Sequence, residues 1–166
     1  MLKKPTLRSG IELAVTTEKL GASFYKTLAE RYQDNAEISE LFSMLAKDEE
    51  AHEAQFKALL SKVPAEEPEQ KSEEKYTYLA AAAMSDFFSG EEGPMKDIDK
   101  IKTRDDALAR AFALEKASLL YYHAVQDVLG ENEILKAIIR AEKSHLVSVM
   151  KYLMTGAKIR GLSDNW

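Results

Sequence analysis

Cysteine is absent from the 166 residues of this chain. That one absence excludes disulfides, thiolate zinc sites, iron–sulfur clusters, four-thiolate iron centres and a cysteine nucleophile. A basic block is missing as well: 23 Lys and Arg stand against 28 Asp and Glu, interleaved along the chain, for a formal net charge of −5. Nothing is concentrated enough to neutralise a run of phosphates, so no nucleic-acid partner is expected. Long apolar runs do not occur either. The longest, Tyr78 to Met84, is far short of the roughly 20 residues that span a bilayer, and no membrane association is expected. The opening Met1-Leu2-Lys3-Lys4-Pro5 leads into no apolar segment of the signal-peptide kind, which makes the cytoplasm the expected location. Glycine and proline are scarce, at 7 and 4 residues, and such breakers as exist are clustered, which points to helix. At 45% hydrophobic and 31% charged the composition is globular, and the length suits one domain over residues 1–166.

What is present is helical periodicity. Thr6 and Ser9 are candidate caps for a first segment that runs to about Gln33. Its apolar residues Ile11, Ala14, Val15, Ala22, Tyr25, Leu28, Ala29 and Tyr32 are spaced by threes and fours. Asp34-Asn35 supplies the turn and cap for a second segment, Ala36 to about Lys62, with Ile38, Leu41, Leu45, Phe56, Leu59 and Leu60 on its stripe. Pro64 and Pro68 end it. Residues 63–102 form an acidic, Pro-containing crossover with a shorter helix expected from Glu73 to Phe88 and a break at Ser89–Pro94. The acids Glu66, Glu67, Glu69, Glu73 and Glu74 read as a solvated linker. Thr103 or Asp105 opens the third long segment, which Gly130 closes. The fourth runs from Asn132 to about Thr155, with Gly156 in the place of a C-cap glycine. Each long segment reaches roughly 36 Å. Short links make each pair antiparallel, and the crossover can travel the length of the assembly. The expected fold is therefore all-α: an up-down four-helix bundle with one long crossover between helices 2 and 3.

The two halves repeat. Ala14-x-x-x-Glu18-Lys19 followed by Tyr25 matches Ala111-x-x-x-Glu115-Lys116 followed by Tyr122. Leu41, Leu45, Glu49, His52 and Phe56 match Ile134, Ile138, Glu142, His145 and Val149. Glu18 and Glu115 lie on inward apolar faces, as do the i, i+3 pairs Glu49/His52 and Glu142/His145, whose members point the same way about one turn apart. A buried, unpaired carboxylate costs several kcal/mol, so it must protonate, find a cation or hold a metal. No Lys or Arg lies on these stripes. Four carboxylates and two neutral imidazoles match two divalent cations in charge. A set of oxygen and nitrogen ligands without sulfur favours iron, or manganese, and admits zinc.

On the motif Glu18-Lys-Leu-Gly-Ala-Ser-Phe-Tyr25 and the pairs Glu49-Glu50-Ala51-His52 and Glu142-Lys143-Ser144-His145, residues 8–155 resemble the ferritin-like di-iron superfamily, most closely the rubrerythrin-type ferritin-like domain. The resemblance implies Glu18 and Glu115 as terminal ligands, Glu49 and Glu142 as bridging ligands, and His52 and His145 as one nitrogen ligand per metal. It implies an oxidoreductase that cycles iron between ferrous and ferric while reducing oxygen or hydrogen peroxide. The chain departs from that family's pattern twice. It has no cysteine-ligated rubredoxin domain, so an electron donor is expected to be a separate protein. Ser118 also stands where classical members carry an extra Glu one turn beyond the third-helix ligand, which leads us to expect ferroxidase-like oxidation with slow peroxide turnover. The other readings are a non-catalytic iron-binding or sensing protein and an interaction module with a relict site.

Around the six candidate ligands, Tyr25 and Tyr122 either hydrogen-bond metal ligands or are plain core tyrosines. His123 turns away from the stripe and reads as a surface or interface residue. Asp48, directly before Glu49, either hydrogen-bonds His145 on the adjoining helix or stands as a solvated face residue. Ala141, before Glu142, cannot do the same for His52. Leu119, Leu120 and Tyr121 extend the apolar surface of the third segment beyond one face, and a homodimer would account for that.

Overall fold

The computed structural model describes residues 5–65 and 73–159. Four long helices dominate: α1 (Leu7–Arg31), α2 (Ala36–Leu60), α4 (Arg104–Leu129) and α5 (Glu133–Ile159), with the short α3 (Glu73–Ala82) between the pairs. No strand occurs among the described residues. The helix starts follow local chemistry. Thr6 accepts from the Ser9 amide while Ser9 Oγ accepts from the Thr6 amide, and Thr103 and Asp106 make the same reciprocal box, so Thr103 rather than Asp105 opens α4. Asn35 and Asn132 cap α2 and α5 by accepting from Ile38 and Leu135 amides. Gly130 ends α4 at φ 84°, a backbone conformation that side chains other than glycine's rarely adopt. The expected stop at Gly156 does not occur; α5 continues to Ile159. A glycine weakens a helix by about 1 kcal/mol but ends it only where the chain takes up the left-handed turn.

The antiparallel pairs α1/α2 and α4/α5 pack face to face, and α1 meets α4 while α2 meets α5 across the bundle. Their shared interior contains Ile11, Phe24, Leu28, Phe42, Leu45, Phe56, Leu108, Leu114, Ile138 and Val149, all buried. Each large side chain so removed from water contributes on the order of 1.5–3 kcal/mol. That apolar sheath is what makes the polar residues inside it conspicuous.

The crossover departs from expectation. The short helix ends at Ala82, not Phe88, because Ser85 begins a turn of its own: its carbonyl accepts from the Phe88 and Ser89 amides and its hydroxyl from the Phe87 amide. The turn sends Phe87 and Phe88 inward while Met84 stays in solvent. Two single-turn 3-10 helices follow, at Gly93–Met95 and Ile98–Lys100. The Arg31 guanidinium ties the second to α1 by donating to the Ile98 and Ile101 carbonyls, each at 3.1 Å. Arg110 lies 4.5 Å over the Phe87 ring. The outer face of α4 is covered by this chain itself: Phe88 packs on Tyr121 with ring centroids 4.4 Å apart, and the Tyr121 hydroxyl donates to the Gly10 carbonyl at 2.8 Å. Of the three residues that suggested a second copy, only Leu120 is left half-exposed. Glu73 and Glu74 sit exposed in the first turn of α3, and Glu66, Glu67 and Glu69 lie outside the described residues.

Candidate metal centre

Six polar side chains converge midway along the bundle. Glu18 comes from α1, Glu49 and His52 from α2, Glu115 from α4, Glu142 and His145 from α5, and none is more than 4% exposed. Their ligating atoms fall into two overlapping groups. Glu18, Glu49, His52 and Glu142 form one; Glu49, Glu115, Glu142 and His145 form the other. Within each group the atoms lie within 4.8 Å of one another. Glu49 and Glu142 belong to both. The two imidazole rings are near-parallel with centroids 5.5 Å apart.

Each of the six offers the cluster one buried atom that lacks a hydrogen-bond partner: Oε2 of Glu18, Oε1 of Glu49, Nδ1 of His52, Oε2 of Glu115, Oε1 of Glu142 and Nδ1 of His145. Proximity does not rescue them. His52 Nδ1 is 2.8 Å from Glu142 Oε1, and His145 Nδ1 is 3.4 Å from Glu115 Oε2, yet neither contact has hydrogen-bond alignment. Six convergent lone-pair atoms without donors are costly in an apolar interior and suit a cation. The donor set therefore fits a pair of metal ions.

Three of the outward atoms are satisfied. The Tyr25 hydroxyl donates to Glu115 Oε1 and the Tyr122 hydroxyl to Glu18 Oε1. Each tyrosine thus holds the carboxylate of the opposite hairpin, not the one two turns away on its own helix. Phe56 packs at a tilt against Tyr122, centroids 4.8 Å apart, and Phe42 stacks on Tyr25 at 6.0 Å, fixing both rings. Asp48 Oδ2 lies 2.9 Å from His145 Nε2, which leaves Nδ1 of that ring for the cluster. Ala141 stands in the equivalent place on α5, and among the described residues no carboxylate approaches His52 Nε2 within ion-pair distance. His123 is half-buried on α4 and takes no part.

Without a cation the cluster repels itself. Burial, then the charges of Glu18, Glu142 and Glu115, hold the Glu49 carboxyl well above the usual carboxylate range. Burial and the charges of Glu115 and Glu18 do the same to Glu142, with His145 opposing. Burial and the neighbouring carboxylates push Tyr25 and Tyr122 up, so both remain donors. For His145, burial alone pushes downward; the close Glu115 carboxylate, the charge of Glu142 and the bond to Asp48 outweigh it and raise the imidazole to about 9.

The Rubrerythrin family model matches residues 10–92, half of the chain. The chain belongs to the rubrerythrin family. Among curated proteins and among solved structures, no match is found. The matched stretch covers α1 from Gly10 onward together with α2 and α3, and with them Glu18, Glu49 and His52. Glu115, Glu142 and His145 lie beyond it, so the second half of the candidate site rests on the repeat and on the geometry above.

Sequence reasoning passed over Gly21. It sits one turn beyond Glu18, at the position that the repeat pairs with Ser118, and it abuts Glu49. The available signal was a lone glycine in mid-helix beside an inward acid. The crossing of the two tyrosine–glutamate pairs left no signal on any single helix.

Proposed function

We propose that this chain is a di-iron oxidoreductase of the rubrerythrin type, oxidising Fe(II) with oxygen or hydrogen peroxide and taking electrons from a separate donor protein. The observation that carries the reading is the pair of overlapping four-residue groups that share Glu49 and Glu142, each residue turning an unpartnered atom inward. In this reading Glu18, His52 and the two shared carboxylates hold one ion, and Glu115, His145 and the same two carboxylates hold the other. Oxygen and nitrogen donors without sulfur favour iron. A pair of iron ions held there supplies two electrons together to an oxidant.

The chain's own residues orient and insulate. Tyr25 and Tyr122 fix the two unshared carboxylates by donating to their outer oxygens, and Asp48 fixes the tautomer of His145. Leu45, Phe56, Ile138 and Val149, buried a turn away on α2 and α5, keep bulk water from the ligands. Ser118, buried one turn beyond Glu115, brings no further carboxylate, and peroxide turnover is expected to be slow beside oxidation of Fe(II). Anaerobic titration with Fe(II), followed by oxygen or peroxide, tests the reading. About two Fe(II) per chain that oxidise on exposure support it. Two bound ions that do not oxidise and consume no peroxide leave a non-catalytic iron-binding protein. A chain that takes up no metal overturns both.

A further inference from the structure

Gly21 lies inside a helix of 25 residues, where glycine is the poorest former apart from proline. Its backbone does not call for glycine, since positive φ among the described glycines is confined to Gly90, Gly93 and Gly130. The neighbouring side chain does. A Cβ added at Gly21 would stand 2.5 Å from Glu49 Oε2, 3.4 Å from its Cδ and 3.7 Å from its Cγ, whereas ordinary contact begins at 3.4 Å. The end of Glu49 therefore rests directly on the bare Cα of Gly21. To admit even a methyl group the carboxylate would have to retreat by most of an ångström. A ligand set keeps its geometry only within roughly 0.5 Å.

That retreat has nowhere harmless to go. The other oxygen of Glu49, Oε1, is buried, unpartnered and 3.9 Å from His145 Nδ1. Glu18, one turn before Gly21 on the same helix, brings a carboxylate oxygen within 4.8 Å of one on Glu49, so the carboxylate cannot move that way without meeting like charge. We propose that Gly21 is the positioning residue for Glu49: the missing side chain is a notch in α1 that seats one of the two shared carboxylates. The repeat places Ser118, not a glycine, in the corresponding position of the other hairpin, so Glu142 is seated differently. The inference rests on the reading of Glu49 as a metal ligand.

Gly21→Ala tests it, with Co(II) as an optical probe of the site under anaerobic conditions and thermal melting of the metal-free protein as the control. The expected result is Co(II) binding weakened about tenfold or more, with an altered visible spectrum. The metal-free variant is expected to melt at or above the native temperature, because alanine is the better helix former. Glu49→Asp shortens the displaced side chain, so Gly21→Ala is expected to cost less in that background than in the native one. Native-like affinity and spectrum in Gly21→Ala overturn the inference, as do additive effects of the two substitutions. A metal-free variant that melts well below the native protein also overturns it, since Gly21 would then serve packing alone. A native chain that binds no Co(II) removes this inference together with the proposed function. Two ions bound equally by native and variant remove only the inference.

Discussion

The hairpin α1/α2 and the hairpin α4/α5 each bring two glutamates and a histidine to the centre, the second glutamate and the histidine at i and i+3 in both, yet they support them differently. The tyrosine clasps are reciprocal: Tyr25 serves Glu115 and Tyr122 serves Glu18. The histidine clasp is not. Asp48 of the first hairpin reaches His145 of the second, whereas Ala141 has nothing to return to His52. The residue one turn beyond the unshared glutamate differs too: Gly21, against which Glu49 lies, follows Glu18, and Ser118 follows Glu115. The repeat has kept what holds the unshared carboxylates and varied what holds a histidine and a shared carboxylate. Two groups alike in donor type are thereby supported differently.

The largest expected effect ignores that difference. Glu49→Ala removes a member of both groups and is expected to abolish uptake of both ions by elemental analysis; retention of one ion would show that Glu49 serves a single position. Next in size is a pH effect in which His145 of the second hairpin carries the neutral-to-alkaline part. His145 is raised to about 9 in the metal-free fold, against about 6.5 unfolded. Its contribution is therefore complete below pH 6.5 and is lost as pH rises to 9. Glu49 and Glu142, raised by burial, penalise the fold in the same direction once the unfolded carboxylates ionise near pH 4. The metal-free protein is expected to lose stability from pH 6.5 to 9, on the order of 3 kcal/mol from His145. Chemical denaturation at several pH values measures the loss, and His145→Gln should flatten the curve over that window.

A smaller effect separates the two metal positions. Asp48→Asn is expected to weaken the position that contains His145 by about tenfold relative to the other. Stepwise Co(II) titration reads the two positions, and equal weakening would mean that Asp48 does not act through His145. The smallest difference is expected between Tyr25→Phe and Tyr122→Phe. Each removes one hydroxyl from one carboxylate, so their losses in affinity should agree within about twofold. A marked disparity would break the symmetry of the clasps.

The long helices and the inward acids were legible because a 3.6-residue period marks both where a helix lies and which side is buried. Thr6, Asn35, Thr103 and Asn132 announced the starts through short-range chemistry. What escaped depended on relations between helices. Nothing in α1 alone indicates that the Tyr25 hydroxyl passes Glu18 and meets Glu115. Gly21 reads as a weak point of a helix until Glu49 is seen resting on it. The crossover misled for a different reason: the apolar residues up to Phe88 continue a helical pattern, but the carbonyl and hydroxyl of Ser85 hold the backbone in a turn. The cover over Tyr121 likewise comes from a distant stretch of the same chain.

Each group of four draws on both hairpins, since the first needs Glu142 from α5 and the second needs Glu49 from α2. Neither hairpin by itself contains a complete set, whatever its own helices do. An ion seated in either position therefore acts as a rivet through the middle of the bundle, and its loss and the parting of the hairpins are linked events. Occupancy then works as a logical conjunction, high only when both hairpins are formed and docked. A chain with one hairpin misfolded would be silent toward metal instead of half-loaded.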